Sequence, residues 1–359
     1  MKKIGIITLN SLNNLGNQLQ LYAMTQILSK YGTVQNIVWE DVFYEKKGNA
    51  LSDAMKHLAK ISLSLVMNKF KRYKSFYRCN KKHIKTFKSK VRKEKAFKKL
   101  NDKFDYFVVG SDQIWNPNFV VNKGMYVNLL AFASNEKKVA VSPSVGVEEL
   151  SNEQKELFVK YLDGFENLSC REESGSKIIS ELTGKKVETL IDPTLMLSAE
   201  DWNKFSHKPK WHNENEKYLL VYFLGEKSAL YNHLILAASK KYGIKVVNVL
   251  DRTSKYYLTN PSEFVYLIKN AEVVFTDSFH ASVFSYIYEK PLKIFKRKDK
   301  IRNMNTRLEN LMKTFKFNPN IYYREGQKLD DIFDVCYDKQ PLLKEQEKFN
   351  KFLENSIKE

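Results

Sequence analysis

Short apolar segments alternate with amphipathic helical segments along most of the chain, and this alternation limits the fold more than any other feature. The chain opens with an apolar run at residues 3–9, a polar loop, a predicted helix at about 18–31 and a second apolar run at 35–39. Runs this short and apolar are typical of parallel strands buried on both faces. The strand–loop–helix–strand order therefore predicts an α/β domain.

The same alternation begins again at Tyr218, after a polar connector at residues 208–217. The 359 residues suffice for about two domains of roughly 100–200 residues each. We predict two Rossmann-like domains facing one another across a cleft. Their predicted bounds are 1–207 and 208–340, with a C-terminal helix in 341–359 and a basic helical segment at 52–103 within the first domain.

The positive charge of the chain is concentrated in that segment. The whole chain carries +19, and residues 56–103 hold eighteen lysines and arginines against two acidic residues, a net charge of +16. Six aromatic residues are interleaved with these charges: Phe70, Tyr73, Phe76, Tyr77, Phe87 and Phe97. An anionic membrane, a lipid diphosphate or a nucleic acid could bind such a surface, and a solvated helical face is the plain alternative.

Cysteine usage and hydropathy indicate the compartment. Cys79, Cys170 and Cys336 are far apart and odd in number, which predicts a reducing environment and no disulfide framework. We find neither a signal peptide nor an apolar run of about 20 residues. The expected location is the cytoplasm, at the inner face of the cell membrane.

A histidine follows one predicted strand of the second domain. The apolar run at residues 273–276 leads into Asp277, Ser278, Phe279 and His280, which open a helix. A helix N-terminus offers free backbone N–H groups to an anion, and a histidine transfers protons near neutral pH. The alternative is a capping Asp or Ser beside an incidental histidine.

Polar residues also follow predicted strands of the first domain. Ser111, Asp112 and Gln113 come after Gly110 and offer a hydroxyl, a carboxylate and an amide to a sugar or phosphate. Asn17 and Gln18 occupy the first strand-to-helix crossover. Ordinary turns and helix caps would also explain these residue types.

Two arginines are candidates for an anionic ligand: Arg171, just past a predicted strand, and Arg307. Arginine offers a bidentate fork to phosphate or carboxylate. The chain has no G-x-G-x-x-G, no Walker lysine, no H-E-x-x-H and no C-x-x-C pair, so we predict no metal and no cofactor. A Ser-His-Asp hydrolase is also disfavoured because the G-x-S-x-G elbow is missing.

Taken together, these motifs resemble the polysaccharide pyruvyl transferase family over residues 4–317. The resemblance rests on the order and spacing of seven segments, at 13–20, 110–116, 169–174, 192–195, 261–264, 276–282 and 305–308. It implies a glycosyltransferase B-like architecture. It also implies transfer of a pyruvyl group from phosphoenolpyruvate to a sugar diol, with formation of a cyclic ketal and release of phosphate.

The resemblance assigns expected roles to the candidate residues. His280 and Asp112 are expected to be catalytic. Donor binding is expected from Arg171, Ser278, Phe279 and Arg307, and acceptor binding from Asn17, Gln18, Ser111 and Gln113. Some members carry Arg-Leu-His where this chain has Ser278-Phe279-His280, and that arginine is thought to hold the donor. Here Arg171 or Arg307 is expected to supply this positive charge instead.

The expected partners are phosphoenolpyruvate as co-substrate, a lipid-diphosphate-linked glycan in capsule or exopolysaccharide synthesis, and an anionic membrane bound through residues 56–103. Two alternatives stay open. One is a glycosyltransferase of the same architecture that uses a nucleotide sugar. The other is a nucleic-acid-binding protein that uses the basic segment, which we consider the weaker, so no nucleic acid is expected.

Overall fold

A computed structural model describes residues 1–39, 63–91, 97–118, 122–297, 305–327, 329–330 and 332–358. The chain divides into two compact units, and each is described by itself. The first unit comprises Met1–Ile61, Asn80–Met196 and Lys344–Glu359, and the second comprises Ser62–Cys79 and Leu197–Leu343. The residues of each unit are thus not contiguous in sequence.

A five-stranded parallel sheet in the order β3-β2-β1-β4-β5 lies at the centre of the first unit. Its strands are β1 (Lys2–Ile7), β2 (Gly32–Trp39), β3 (Thr86–Val91), β4 (Tyr106–Val109) and β5 (Lys138–Ala140). In register, Ile4 pairs with Val34 on one side and with Tyr106 on the other. The strand order therefore reverses between β1 and β4, and ligands bind beside such reversals in open α/β sheets.

Helices and a small second sheet complete the middle of the first unit. Helix α1 (Leu15–Leu28) is buried along nearly its whole length and packs on the short 3₁₀ turn at Pro193–Met196. Further along the chain come α3 (Asn122–Asn128), α4 (Asn152–Leu162), β6 (Ser169–Cys170), α5 (Glu173–Thr183) and β7 (Glu188–Thr189). A capping box between Ser151 and Gln154 fixes where α4 begins.

The basic segment departs from its prediction as a continuous helix. Helix α2 (Leu63–His83) ends before the edge strand β3, which pairs with β2. Thr86, Phe87 and Val91 favour strands, and the open edge of β2 supplies a pairing partner that local sequence does not reveal. Residues 52–62 and 92–96 of the predicted segment lie outside the described residues.

A four-stranded parallel sheet in the order β11-β10-β8-β9 forms the centre of the second unit. Its strands are β8 (Tyr218–Tyr222), β9 (Lys245–Asn248), β10 (Val273–Thr276) and β11 (Leu292–Ile294). The strand order reverses between β8 and β10. The helices are α6 (Ala199–Phe205), α7 (Ala229–Tyr242), α8 (Pro261–Asn270), α9 (Phe279–Ile287) and α10 (Thr306–Thr314).

The C-terminal helix, α11 (Gln340–Ser356), forms where the sequence predicts it, and from Lys344 onward it belongs to the first unit. Between the two large sheets the chain passes from the first unit to the second at Met196 and Leu197, whereas the sequence pattern places this boundary after residue 207. Among the helices that the structure describes, none is both long enough and apolar enough to cross a bilayer.

Candidate functional site

The loop after β4 is held tightly against the first unit's sheet. Gly110 has a φ of +136°, and a Cβ atom there would lie 1.9 Å from the carbonyl oxygen of Val141. A side chain is therefore excluded at this position. The next residue, Ser111, donates its backbone N–H to Gln20 Oε1 at 3.0 Å, and Gln20 Nε2 donates to Thr8 Oγ1 at 2.7 Å. These bonds join the ends of β1 and β4, where the strand order reverses.

Asp112 lies at the centre of this strand-end region. Its backbone has a φ of +54°, and its carbonyl accepts the N–H of Ser144 at 2.7 Å. The side chain of Asn17 donates to Asp112 Oδ2 at 2.7 Å, and the guanidinium of Arg171 lies 3.6 Å from Asp112 Oδ1. Three of the predicted site residues are thus brought together at one edge of the sheet.

Arg171 is enclosed by carboxylates. Its side chain is only 3% exposed. Nη1 donates to Asp192 Oδ2 at 2.8 Å, and Nη2 lies 3.4 Å from Glu172 Oε1. Burial by itself lowers the pKa of Arg171, but the charges of Glu172, Asp192 and Asp112 outweigh it and raise this pKa above its ordinary value. The guanidinium of Arg171 therefore lies among the carboxyl groups of Asp112, Glu172 and Asp192.

Neighbouring hydroxyls complete this cluster. Thr194 donates to Asp192 Oδ1 from both its backbone N–H, at 3.0 Å, and its hydroxyl, at 2.6 Å. The hydroxyl of Ser144 donates to Glu172. Sequence reasoning did not assign a role to Glu172, Asp192, Thr194 or Ser144. The available signal was positional, since each lies just after a predicted strand.

The other predicted acceptor residues make separate contacts. Gln18 donates to Asn10 Oδ1 at 2.6 Å and accepts from Asn80 at 2.7 Å. The hydroxyl of Ser111 donates to the carbonyl of Ser142 at 3.0 Å. The buried amide of Gln113 lies against Gly146, where a Cβ atom would come within 2.5 Å of Gln113 Nε2.

In the second unit, Asp277 joins the ends of β8 and β10. Its carboxylate accepts the backbone N–H groups of Leu224, at 2.6 Å, and Gly225, at 2.8 Å. Burial raises the pKa of Asp277 above its ordinary value, while these two hydrogen bonds and the charge of Arg297 oppose the rise. Asp277 thus fixes the loop after β8 at the point where the strand order of this sheet reverses.

His280 lies in the first turn of α9, directly after this strand-end aspartate. Ser278 caps the helix by accepting from the N–H of Ala281 at 3.5 Å. The ring of Phe279 meets that of His280 edge-on at 5.4 Å, and the guanidinium of Arg307 lies 6.0 Å from the Phe279 ring centre. The four predicted residues of this unit therefore share one end of the sheet.

Asn305 shows how α10 is placed beside that group. Its side chain accepts from the N–H of Arg297 at 2.8 Å and donates to the Arg297 carbonyl at 3.3 Å. This pair of bonds brings the start of α10, and with it Arg307, back to the end of β11. Sequence reasoning placed Asn305 in a family segment but gave it no function.

Cysteine and metal chemistry have no visible site among the described residues. Cys170 is fully buried, and burial, assisted by the charge of Glu172, raises the pKa of its thiol well above the ordinary value. A thiol in such surroundings is a poor nucleophile. Within the described ranges, histidines, cysteines and acidic residues form no group of three or more suited to a metal ion.

A groove of about 550 Å³ lies elsewhere in the first unit, between α11 and the residues that precede β6 and β7. Glu166, Lys186, Lys344 and Lys348 are among its lining residues, and the lining includes none of the predicted site residues. The groove adjoins the amino ends of these strands. It is therefore separate from the two strand-end clusters, one of Asp112, Arg171 and Asp192 in the first unit and one of Asp277, His280 and Arg307 in the second.

The chain resembles several solved structures in its overall fold. In structure the chain is similar to UDP-GlcNAc 2-epimerase from Methanocaldococcus jannaschii, with a TM-score of 0.53 and 14% identity over 96% of this chain and 92% of that one. The epimerase from Neisseria meningitidis gives 0.49 at 14% identity over 99% and 96%, and E. coli heptosyltransferase WaaC gives 0.34 at 9% identity over 84% and 91%. Among curated proteins, no sequence matches the chain.

The two parallel sheets and their strand-end clusters define a GT-B-like α/β protein, as the similarity to the first epimerase shows. The family model of the polysaccharide pyruvyl transferases matches residues 14–292. The chain belongs to the polysaccharide pyruvyl transferase family. The family and the fold expected from the sequence are confirmed.

Proposed function

We propose that this protein transfers a pyruvyl group from phosphoenolpyruvate to a sugar diol of a lipid-linked precursor of a bacterial surface polysaccharide. The products are a cyclic pyruvate ketal and phosphate. The observation that carries the proposal is the family match over residues 14–292, which includes Asp112, Arg171 and Asp192 of the first unit and Asp277 and His280 of the second. His280 opens a buried helix at the end of β10, next to Phe279, and Phe279 in turn contacts Arg307, which lies beyond the matched residues.

The chemistry needs a proton and two hydroxyl additions. Protonation of the methylene carbon of phosphoenolpyruvate gives an oxocarbenium-like carbon, and one sugar hydroxyl forms a C–O bond to it. The C–O bond to phosphate then breaks, and the second hydroxyl closes the ring. The two hydroxyl protons balance the proton delivered to carbon and the one carried away by the leaving group. A proton donor, a base and cationic anion binding are therefore sufficient, without a metal or cofactor.

The second unit supplies the donor-side groups in this proposal. His280 transfers the proton, a role worth about 10²–10⁴-fold in rate. Arg307 and the N–H groups at the start of α9, next to Ser278, hold the phosphate and carboxylate of the donor. Phe279 positions Arg307 through the contact of its ring with the guanidinium.

The first unit supplies the acceptor-side groups. Asp112 acts as the base toward a sugar hydroxyl, and Asn17, Gln18, Ser111 and Gln113 orient the sugar. Arg171 was expected to bind the donor, but three carboxylates already surround its charge. We therefore assign Arg171 the role of positioning Asp112, and Arg307 the role of binding the anionic groups of the donor.

The test is incubation of the protein with phosphoenolpyruvate and a panel of lipid-diphosphate-linked sugars. A mass gain of about 70 Da per acceptor, the stoichiometry of one ketal, with one phosphate released would support the proposal. His280→Ala should lose turnover, whereas the exposed His233→Ala on α7 of the same unit should keep it. Full activity of folded His280→Ala would remove His280 from the mechanism.

A parallel thermal-shift experiment separates the donor classes. Stabilisation by phosphoenolpyruvate without product means that the acceptor panel lacked the right sugar. Stabilisation by a nucleotide sugar alone would replace this proposal with a glycosyltransferase. That alternative has the same fold, so the fold does not decide between the two donors.

A further inference from the structure

One face of α2 exposes an apolar stripe. Leu63 and Phe70 are 77% and 60% exposed, and the other members lie on the same face because they recur at intervals of three and four residues. The apolar stripe consists of Leu63, Val66, Met67, Phe70, Tyr73 and Tyr77. Isolated apolar residues on a surface are ordinary, but six on one helix face mark an interaction surface.

The opposite face of α2 is anchored, so the helix cannot roll to bury the stripe. The guanidinium of Arg72, which is 2% exposed, donates to the carbonyl oxygens of Tyr257 and Thr259. It also lies 4.7 Å from the ring centres of both Phe76 and Tyr257. Phe76 is completely buried, and so is not one of the surface aromatics that the sequence suggested.

Exposed cations accompany the stripe, and α2 contains no acidic residue. Lys69, Lys71, Arg78 and Lys82 lie to its sides, whereas Lys74 and Lys81 fall within it at helical spacing. A helix face that combines leucine, phenylalanine and tyrosine with lysine is typical of a helix that lies in the interface of a bilayer. Tyrosine rings favour the headgroup level, and each cation near an anionic leaflet adds to the attraction.

We infer that the apolar stripe of α2 docks on the surface of an anionic lipid bilayer, with its flanking cations over the headgroups. The positive charge and apolar side chains of α2 together favour an anionic bilayer over the other possible partners. A second copy of the same helix would bring like charges together, and a nucleic acid would match the cations but leave the apolar side chains without a complement. The inference goes beyond the proposed reaction and does not depend on it.

The test is co-sedimentation of the full chain with vesicles of phosphatidylcholine containing 30% phosphatidylglycerol, free of glycan and of phosphoenolpyruvate. We expect binding at low salt, weaker binding at 0.5 M salt and none to phosphatidylcholine alone. A stripe variant (Leu63→Ser, Phe70→Ser, Tyr77→Ser) and a charge variant (Lys71→Gln, Lys74→Gln, Lys81→Gln) should each bind at least tenfold more weakly.

A matched control on α7 tests whether vesicle binding depends on this face of α2 or on any exposed apolar and cationic residues. Leu236→Ser with Lys240→Gln removes one exposed apolar residue and one cation from α7, and vesicle binding should be unchanged. All variants change exposed side chains, so their melting temperatures should match that of the unaltered protein. A stripe variant that binds vesicles as well as the unaltered protein would overturn the inference. So would loss of a dimer in the stripe variant, or tighter binding to random oligonucleotides than to vesicles.

Discussion

The side-chain amide of Asn17 lies 2.7 Å from a carboxylate oxygen of Asp112, although 95 positions separate the two residues in sequence. Asn17 comes from the start of α1 and Asp112 from the loop after β4. Parallel pairing of β1 with β4 brings their carboxyl ends side by side and so places the two residues together. The hydrogen bond orients the carboxylate to which we assign the role of base.

Asn17→Ala should destabilise the first unit because it leaves a buried oxygen of Asp112 without this donor. Loss of such a partner costs about 1–3 kcal/mol. Urea unfolding would measure the change, with the exposed Asn355→Ala on α11 as the control. An unfolding free energy equal to that of the control would show that the bond adds no stability.

Arg171→Met should be more damaging. It removes the cation from three buried carboxylates, and breaking a buried ion pair from one side costs about 3–5 kcal/mol. Lys177→Met is the control, because Lys177 forms only an exposed pair with Glu181. If the two variants unfold at the same urea concentration, Arg171 is not the counter-charge of this cluster.

Gly110→Ala should destabilise the protein far more than Gly184→Ala. Both glycines have positive φ values, +136° and +67°, but a Cβ at Gly184 meets nothing within 4 Å, whereas one at Gly110 collides with the Val141 carbonyl. Gly184→Ala therefore measures the cost of a left-handed backbone alone, about 1–2 kcal/mol. Gly110→Ala adds the collision to a φ that L residues adopt still less readily. Comparable melting temperatures for the two variants would contradict the geometry.

Asp277 should make stability fall as the pH rises above about 4. Its pKa is raised in the folded state, chiefly by burial, above the ordinary value of 3.8. The folded protein thus holds this proton more tightly than the unfolded chain. Its contribution is fully present below pH 3.8 and is lost as the pH rises through the raised pKa.

The comparison for Asp277 is with Asp277→Asn, which does not titrate. The stability of the unaltered protein minus that of the variant should decrease with pH and then level off. Urea unfolding of both proteins from about pH 4 to 7 measures this difference. A difference that increases with pH would mean that the N–H groups of Leu224 and Gly225 lower the pKa of Asp277 more than burial raises it.

Arg307→Gln should raise the KM for phosphoenolpyruvate at least tenfold and change kcat less, because it removes a charge from donor binding. Charge-assisted hydrogen bonds contribute about 1.5–3 kcal/mol, which corresponds to roughly 10–150-fold. Arg324→Gln, at an exposed position of the same unit, should leave KM unchanged. An unaltered KM in Arg307→Gln would mean that another residue binds the anionic groups of the donor.

The sequence predicts most of the sheets because their strands are buried on both faces and appear as uninterrupted apolar runs. It predicts the strand-end location of Asp112 and His280 because polar residues follow those runs directly. It does not predict β3, since an edge strand with lysines has no apolar run and depends on the backbone of β2 for its pairing.

The partners of Arg171 lie beyond what local sequence predicts. Asp112 and Asp192 are 59 and 21 positions away, and only the packing of α1, β4 and the 3₁₀ turn after β7 brings them to it. The burial of Arg72 is not predictable from the sequence either, because seventeen other basic residues lie in the same segment at 56–103. Its carbonyl partner Tyr257 lies 185 positions away.

The anchoring of Arg72 to Tyr257 sets an order for events on the ribosome. Helix α2 is made between β2 and β3, yet the backbone that receives its buried face is synthesised about 185 residues later. At roughly 5–20 residues per second, this delay is about 10–40 s. During that interval the anchoring face of α2 lacks its final neighbours, so both faces of the helix are exposed. A membrane that binds the apolar stripe first would shield the nascent helix until the second unit emerges.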